Sequence, residues 1–338
     1  MTNTSITPAI SSSNVTSYCS NVSGATAYRF GVVDSAGHEF HSPSIIEMVG
    51  QSHKYAAVYH SSVSGYFSVN LAVSNDLINW TFLRTLINNA SMPKMVQVAG
   101  AAWILVMHEN WMTTDSSGAS AGPCRIGYEL FYDLNDLLAG TIRSTWIAPQ
   151  FSADDHDGTP SIYNASLALS GGYYVVNGQY GFHSLSGGNV RDINSVTTTT
   201  DLFSPAGTVS TLPSSATTYN SLLTTAGAAG SIGQRDTLQT TTARYNLQEG
   251  NLTTANDFGD WRIWLYTFGD SYSYPTGVGT ASQLSITTPG GSTSFGNPSV
   301  NVVNSPSGSG TSLVVSYMVF TEGAAAGEAG SLVYYYDL

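Results

Sequence analysis

The residues able to do chemistry fall in a few short runs of the 338-residue sequence. Asp236 follows Arg235 in Arg235-Asp236-Thr237. A guanidinium beside a carboxyl lowers its pKa and holds the carboxylate. Such a pair serves either as a reactive acid with its neighbour or as an ion pair closing a channel. Asp157 ends the run Asp154-Asp155-His156-Asp157, whose three acids and imidazole could hold Ca²⁺ or present one carboxylate to a sugar. Asp154 and Asp155 read as a solvated turn, and Asp157 as the member aimed at a pocket. Glu39 with His41, and His108 with Glu109, each put a carboxylate near an imidazole. Such pairs can share a proton near neutral pH, or merely hydrogen-bond a loop. Gln179, Tyr180 and His183 offer an amide, an aromatic face and an imidazole, groups suited to sugar hydroxyls and C–H faces. Ordinary strand packing is the alternative for Tyr180. His38 and His41 have no further His or Cys at metal-ligand spacing, so no metal site is expected there.

These residues need a scaffold that gathers them. A short opening, usually a small or polar residue and a Pro before an apolar strand, recurs five times. The copies are Ser42-Pro43-Ser44, Met92-Pro93-Lys94, Thr159-Pro160-Ser161, Thr237-Leu238-Gln239 and Asn297-Pro298-Ser299. Their second residues lie 50, 67, 78 and 60 positions apart. A repeat of about 40–50 residues with four strands per unit, lengthened by loops, reads as a propeller blade. Alternation at Phe67, Val69, Leu71 and Val73, and at Ile126, Tyr128, Leu130 and Tyr132, supplies strands. The expected fold is all-β: a five-bladed β-propeller of four-stranded antiparallel blades. Residues 1–36 are expected as a lead-in that could donate a closing strand, and 37–338 as one domain. Ser/Thr/Gly-rich insertions at Met112–Pro123, Thr208–Gly233 and Ser271–Gly291 read as loops.

Composition narrows the partners. Charged residues make up 9% and the net charge is −12, with no basic run. Nucleic acid and anionic membrane are therefore excluded as expected partners. No run approaches about 18 apolar residues, so no membrane span is expected, and the polar start lacks a signal-peptide core. Cys19 and Cys124 could form one disulfide or stay free. Seven Asn-x-Ser/Thr sequons, at Asn3, Asn14, Asn21, Asn79, Asn89, Asn164 and Asn251, lend modest weight to an extracellular or surface location.

The Pro-Ser-Ile opening, the aromatic strands and the turn Ser74-Asn75-Asp76-Leu77-Ile78-Asn79-Trp80 resemble the five-bladed propeller glycosidases. That group holds the arabinanases and xylosidases of glycoside hydrolase family 43 and the arabinofuranosidases of family 62. The resemblance runs from about Phe40 onward. It implies hydrolysis of arabinose- or xylose-containing polysaccharide by carboxyl groups placed across the glycosidic bond. Its three acids would begin the inner strands of blades one, three and four. This sequence has Ser42 and Thr159 at the first two places and Asp236 at the third, with Asn297 where blade five often carries His. The resemblance then implies Asp236 as general acid, Asp157 as orienting or substitute base, and Glu109 as a further candidate. His41, Gln179, Arg235, Asn297, His183 and Tyr180 would line the substrate. No cofactor is required, a structural Ca²⁺ is an option, and a monomer is expected. The missing blade-one acid keeps open a non-catalytic glycan-binding propeller: a lectin, an adhesin or a surface spike.

Overall fold

The computed structural model describes residues 10, 14–150, 156–168, 173–186, 189–200, 208–211, 221–240, 243–255, 257–268 and 281–338. Among these residues the strands pair into five antiparallel sheets of four strands each. Strand β1 (Ala27–Arg29) belongs to the last sheet. The first sheet comprises β2 (His41–Glu47), β3 (Tyr55–Val63), β4 (Tyr66–Ser74) and β5 (Thr81–Asn88). The second is β6 (Ala90–Gln97), β7 (Ile104–Thr114), β8 (Ser120–Phe131) and β9 (Ser144–Ile147). The third is β10 (Asp157–Ala168), β11 (Tyr173–Ser186), β12 (Asn189–Thr200) and β13 (Thr208–Thr211). The fourth is β14 (Ile232–Gln239), β15 (Arg244–Asn251), β16 (Trp261–Phe268) and β17 (Ser282–Gln283). In the last, β18 (Phe295–Asn304), β19 (Thr311–Val319) and β20 (Gly330–Asp337) are completed by β1. The first strands β2, β6, β10, β14 and β18 touch in cyclic order around an axis. The chain is an all-β propeller.

Apolar side chains on both faces of the strands explain this packing, because each sheet is covered by a neighbour on either side. Tyr55, Ala57 and Tyr59 of β3 meet Val303, Val314 and Val333 of the last sheet. The alternate residues Ala56 and Val58 meet Met95, Ile104 and Val106 of the second. A short helix α1 (Val15–Ser20) sends Val15 and Cys19 into the core between the fourth and last sheets. Cys19 and Cys124 are both buried free thiols, which closes the disulfide alternative.

Local chemistry sets the turns. Asp76 Oδ1 accepts from the backbone of Ile78 (3.0 Å) and Asn79 (2.7 Å). Ser74 Oγ accepts from Leu77 N at 3.1 Å, and Leu77 takes φ 66°. Trp80 then stacks on Phe40 at 4.9 Å. After Tyr132 the chain turns through a short helix, α2 (Leu134–Ala139). Asp133 caps it by accepting from Asp136 N at 2.9 Å, and Gly140 ends it in the left-handed region. Met112–Pro123 is not a loop insertion, since β7 and β8 extend through most of it. A second Asp-Leu pair, Asp201-Leu202, lies outside the described residues, as does part of each of the other two insertions.

All five inner strands carry the same one-residue bulge near their start. His41 pairs His60 and Ser44 pairs Val58; Ser91 pairs Glu109 and Lys94 pairs Met107. The same slip separates Gly158 from Ser161, Ile232 from Arg235 and Gly296 from Ser299. Inside four of the bulges a non-glycine residue has positive φ: Ser42 46°, Met92 47°, Thr159 50° and Asn297 48°. Each precedes a Pro. Such a conformation costs about 1–3 kcal/mol per residue and persists only where the surroundings impose it.

The bulge register corrects the fourth opening. Its equivalent is Gly233-Gln234-Arg235, with Gln234 where the other sheets have Pro, and not Thr237-Leu238-Gln239. Without the Pro as a marker, the sequence pattern slid four residues along the strand. Asp236 therefore matches Ile45, Met95, Ile162 and Val300, one step beyond the bulge. It does not occupy the strand-start acid position that the resemblance implied.

Candidate functional site at the strand-start mouth

Asp236 lies in the centre of the ring, and its partner there is not the one expected. Its Oδ2 is 2.6 Å from Lys94 Nζ, with the two side chains 8% and 5% exposed. It also accepts from Val300 N (2.8 Å) and Thr237 N (2.9 Å), with Ser161 Oγ at 3.4 Å. The charge that balances Asp236 comes from the second sheet, across the axis. Arg235 instead donates to Gln248 Oε1 (3.2 Å), Thr159 O (3.0 Å) and Gly233 O (2.7 Å). Adjacent residues on a strand point to opposite faces, so sequence adjacency did not make them partners.

Above this ion pair, toward the strand starts, side chains of one sheet clasp the strained residue of the next. Met92 N donates to His60 Nδ1 at 3.4 Å. Thr159 N donates to Glu109 Oε1 at 2.6 Å, and Asn297 N to Glu249 Oε2. Each carboxylate also fastens its own sheet. Ser91 Oγ donates to Glu109 Oε2, and Gln234 N donates to Glu249 Oε1 at 2.6 Å. Charge-assisted bonds of this kind are stronger than neutral ones and offset the backbone strain. Glu249 was missed in the sequence. Its signal was its place at the end of a second strand, matching His108 and next to the Glu109 register.

The seam between the second and third sheets gathers Glu109, His156 and Asp157. Trp111 Nε1 donates to Ser91 Oγ at 2.8 Å, and the indole meets the His156 ring at 5.2 Å. A Cβ placed on Gly158 would lie 2.5 Å from Glu109 Oε1 and 2.9 Å from His156 Nε2. Those two atoms are thus at most 5.4 Å apart, the sum of the two distances. Asp157 is completely enclosed, and Glu109 is 4% exposed. Burial, then the charges of Glu109 and Asp157, push the Cys124 thiol well up. Cys124 is therefore an inert thiol rather than a nucleophile.

The other candidates spread around the mouth. His41 is buried, with Nε2 2.9 Å from Glu39 Oε2 and Nδ1 3.0 Å from Ser331 Oγ. Its ring lies 5.3 Å from that of His60. His38 turns away to Asp34 (2.8 Å), and His108 sits 3.6 Å from Glu129 behind the mouth. Gln179 pairs Ser161 along the backbone and Tyr180 follows it, while His183 pairs Asp192 nearer the hairpin tip. The side chains of Gln179, Tyr180 and His183 lie outside the described residues, as do Asp154 and Asp155 entirely. Among the described residues, no three His, Cys, Asp or Glu side chains are placed to hold a metal.

His60 makes this mouth sensitive to acid. Burial pushes its imidazole well below the ordinary value, and the charges of His41 and Lys94 add to the shift. Unfolded, it titrates near about 6.5, so below that pH the unfolded chain binds the extra proton and stability falls. Above about 6.5 the contribution is fully present. His60→Gln, which keeps an acceptor for Met92 N, should flatten the loss of stability between about pH 6.5 and 5. Urea unfolding across that window measures it, and an unchanged slope would count against the assignment.

No family profile and no curated protein sequence matches the chain. Solved structures do. A thermostable family-43 glycoside hydrolase shares 12% identity over 91% of this chain and 92% of its own, with a TM-score of 0.52. An α-L-arabinofuranosidase from Lactobacillus brevis gives 12%, 90%, 94% and 0.50. An N-acetylgalactosamine deacetylase from F. plautii, in complex with blood group B trisaccharide, gives 13%, 92%, 94% and 0.50. The chain thus has the propeller fold of the family-43 glycoside hydrolase structures. The same fold carries a deacetylase, so the chemistry has to be argued from the site.

Proposed function

We propose that the chain is a carbohydrate-active propeller of five blades, extracellular or surface-displayed, that captures a glycan at the strand-start mouth. One observation carries this reading. The buried carboxylates around the axis are already committed, while half-buried Trp111, His156 and Asn297 line the mouth beside them. Asp236 is committed to Lys94, Glu109 to Ser91 and Thr159, and Glu249 to Gln234 and Asn297. An aromatic face, an imidazole and an amide suit a sugar's C–H surface and hydroxyls. Asp236 is then a pin through the ring instead of a general acid.

Hydrolysis is the second reading. It is favoured by Glu109 lying within 5.4 Å of His156, beside Asp157, which supplies two carboxyl groups and an imidazole at one seam. In that case Asp157 and Glu109 carry the reaction on arabinose- or xylose-containing polysaccharide. Arabinan, arabinoxylan and aryl arabinofuranosides offered to wild type, Trp111→Ala and Asp157→Asn separate the two. Binding without sugar release, weakened in Trp111→Ala, supports capture. Sugar release that drops about 10³-fold in Asp157→Asn while binding persists supports hydrolysis. A wild type that neither binds nor releases sugar removes both readings.

A further inference from the structure

The mouth has a second aromatic bank, on the side away from Trp111. The connection after β15 carries Phe258, which is 52% exposed, and the connection after β19 carries Phe320. Their rings lie 5.1 Å apart, and Trp261 meets Phe320 at 6.3 Å. A Cβ on Gly296 would stand 2.5 Å from Phe320 Cε2 and 2.7 Å from Glu249 Oε2. Phe320 therefore reaches the mouth itself, next to Asn297, and Phe258 continues the apolar strip outward.

Nothing in the fold requires Phe258 to face solvent. Its turn is fixed by polar bonds. Asp257 Oδ1 accepts from Gly259 N (2.9 Å), Asn251 Nδ2 donates to Asp257 O (3.0 Å), and the buried Ser294 hydroxyl donates to Phe258 O. Arg262 adds a bond to Gly259 O at 2.9 Å. A rigid turn holding a large aromatic ring in water is the form of a binding anchor, since little ordering entropy remains to be lost. Tyr132, also exposed, differs: Trp103 stacks on it at 5.5 Å and Arg143 stands over the ring at 5.7 Å.

We infer that Phe258 and Phe320 form an outer stacking subsite, and that the ligand is an oligosaccharide long enough to extend from the mouth across the fourth and last sheets. The inference rests on the carbohydrate reading and adds length to it. Continuity of the strip with the mouth, and Asn297 and Glu322 beside it, favour a sugar chain with alternating C–H faces and hydroxyls.

The test is calorimetric titration of wild type, Phe258→Ala and Phe258→Trp with arabinan- and arabinoxylan-derived oligosaccharides of one to about six residues. Stacking of this kind is worth about tenfold in affinity. Wild-type affinity should rise with chain length. Phe258→Ala should lose about tenfold on the longer chains and nothing on the monosaccharide, with Phe258→Trp restoring it. Unchanged melting of Phe258→Ala confirms that the fold is intact. If wild type binds and Phe258→Ala keeps the full rise with length, the subsite is wrong and the mouth stands. If wild type binds none of these sugars, the carbohydrate reading falls and the subsite with it.

Discussion

Lys94→Met is expected to lower the free energy of unfolding by about 3–5 kcal/mol, the usual cost of leaving a buried partner charge uncompensated. Asp236 would keep its bonds from Val300 and Thr237, but no cation would remain at 2.6 Å. Asp236→Leu should destabilise at least comparably, by stranding the ammonium. The double variant Lys94→Met/Asp236→Leu removes both charges and should be less unstable than the sum of the singles. It would still leave Val300 N–H without its acceptor, at about 1–3 kcal/mol. Denaturant unfolding of the four proteins gives the coupling directly. A loss below about 1 kcal/mol for Lys94→Met would mean that the pair behaves as an exposed one.

Glu249→Ala should be comparably severe, about 3–6 kcal/mol from two charge-assisted bonds at about 1.5–3 each. The stranded groups would be Gln234 N–H and the N–H of Asn297, a residue held at φ 48°. Glu249→Gln keeps one acceptor oxygen and should recover roughly half. Amide exchange offers a second readout: the Asn297 and Gln234 protons should exchange faster in Glu249→Ala while those of β4 do not change. Uniform acceleration would point to global destabilisation and against a local clasp.

The fold was largely legible in the sequence because turn chemistry and alternation are local signals. Ser74-Asn75-Asp76-Leu77 reads as a turn for the same reason it is one: its side chains bond its own backbone. Openings marked by Pro fell on inner-strand starts. The fourth opening, marked by Gln234, did not, and the slip took Asp236 with it to a position it does not occupy. The site was less legible because its bonds run between sheets. Lys94 meets Asp236 across 142 positions, and Glu109 meets Thr159 across 50. Spacing along a strand cannot report such partners. Glu109, His156 and Asp157 did come together, yet only the structure shows Glu109 fastening a neighbouring backbone, which changes the chemistry open to it.

The last sheet is assembled from segments about 300 positions apart, with β1 hydrogen-bonded to β20. During synthesis, residues 27–29 leave the ribosome first and must wait for residues 330–337 before their edge is covered. Pairing at such separation is entropically slow. Until then the growing protein is an open arc, with an unpaired strand edge and a bare apolar flank at β2. Closure is therefore a late event in its biogenesis, and the interval before it is when aggregation competes with folding.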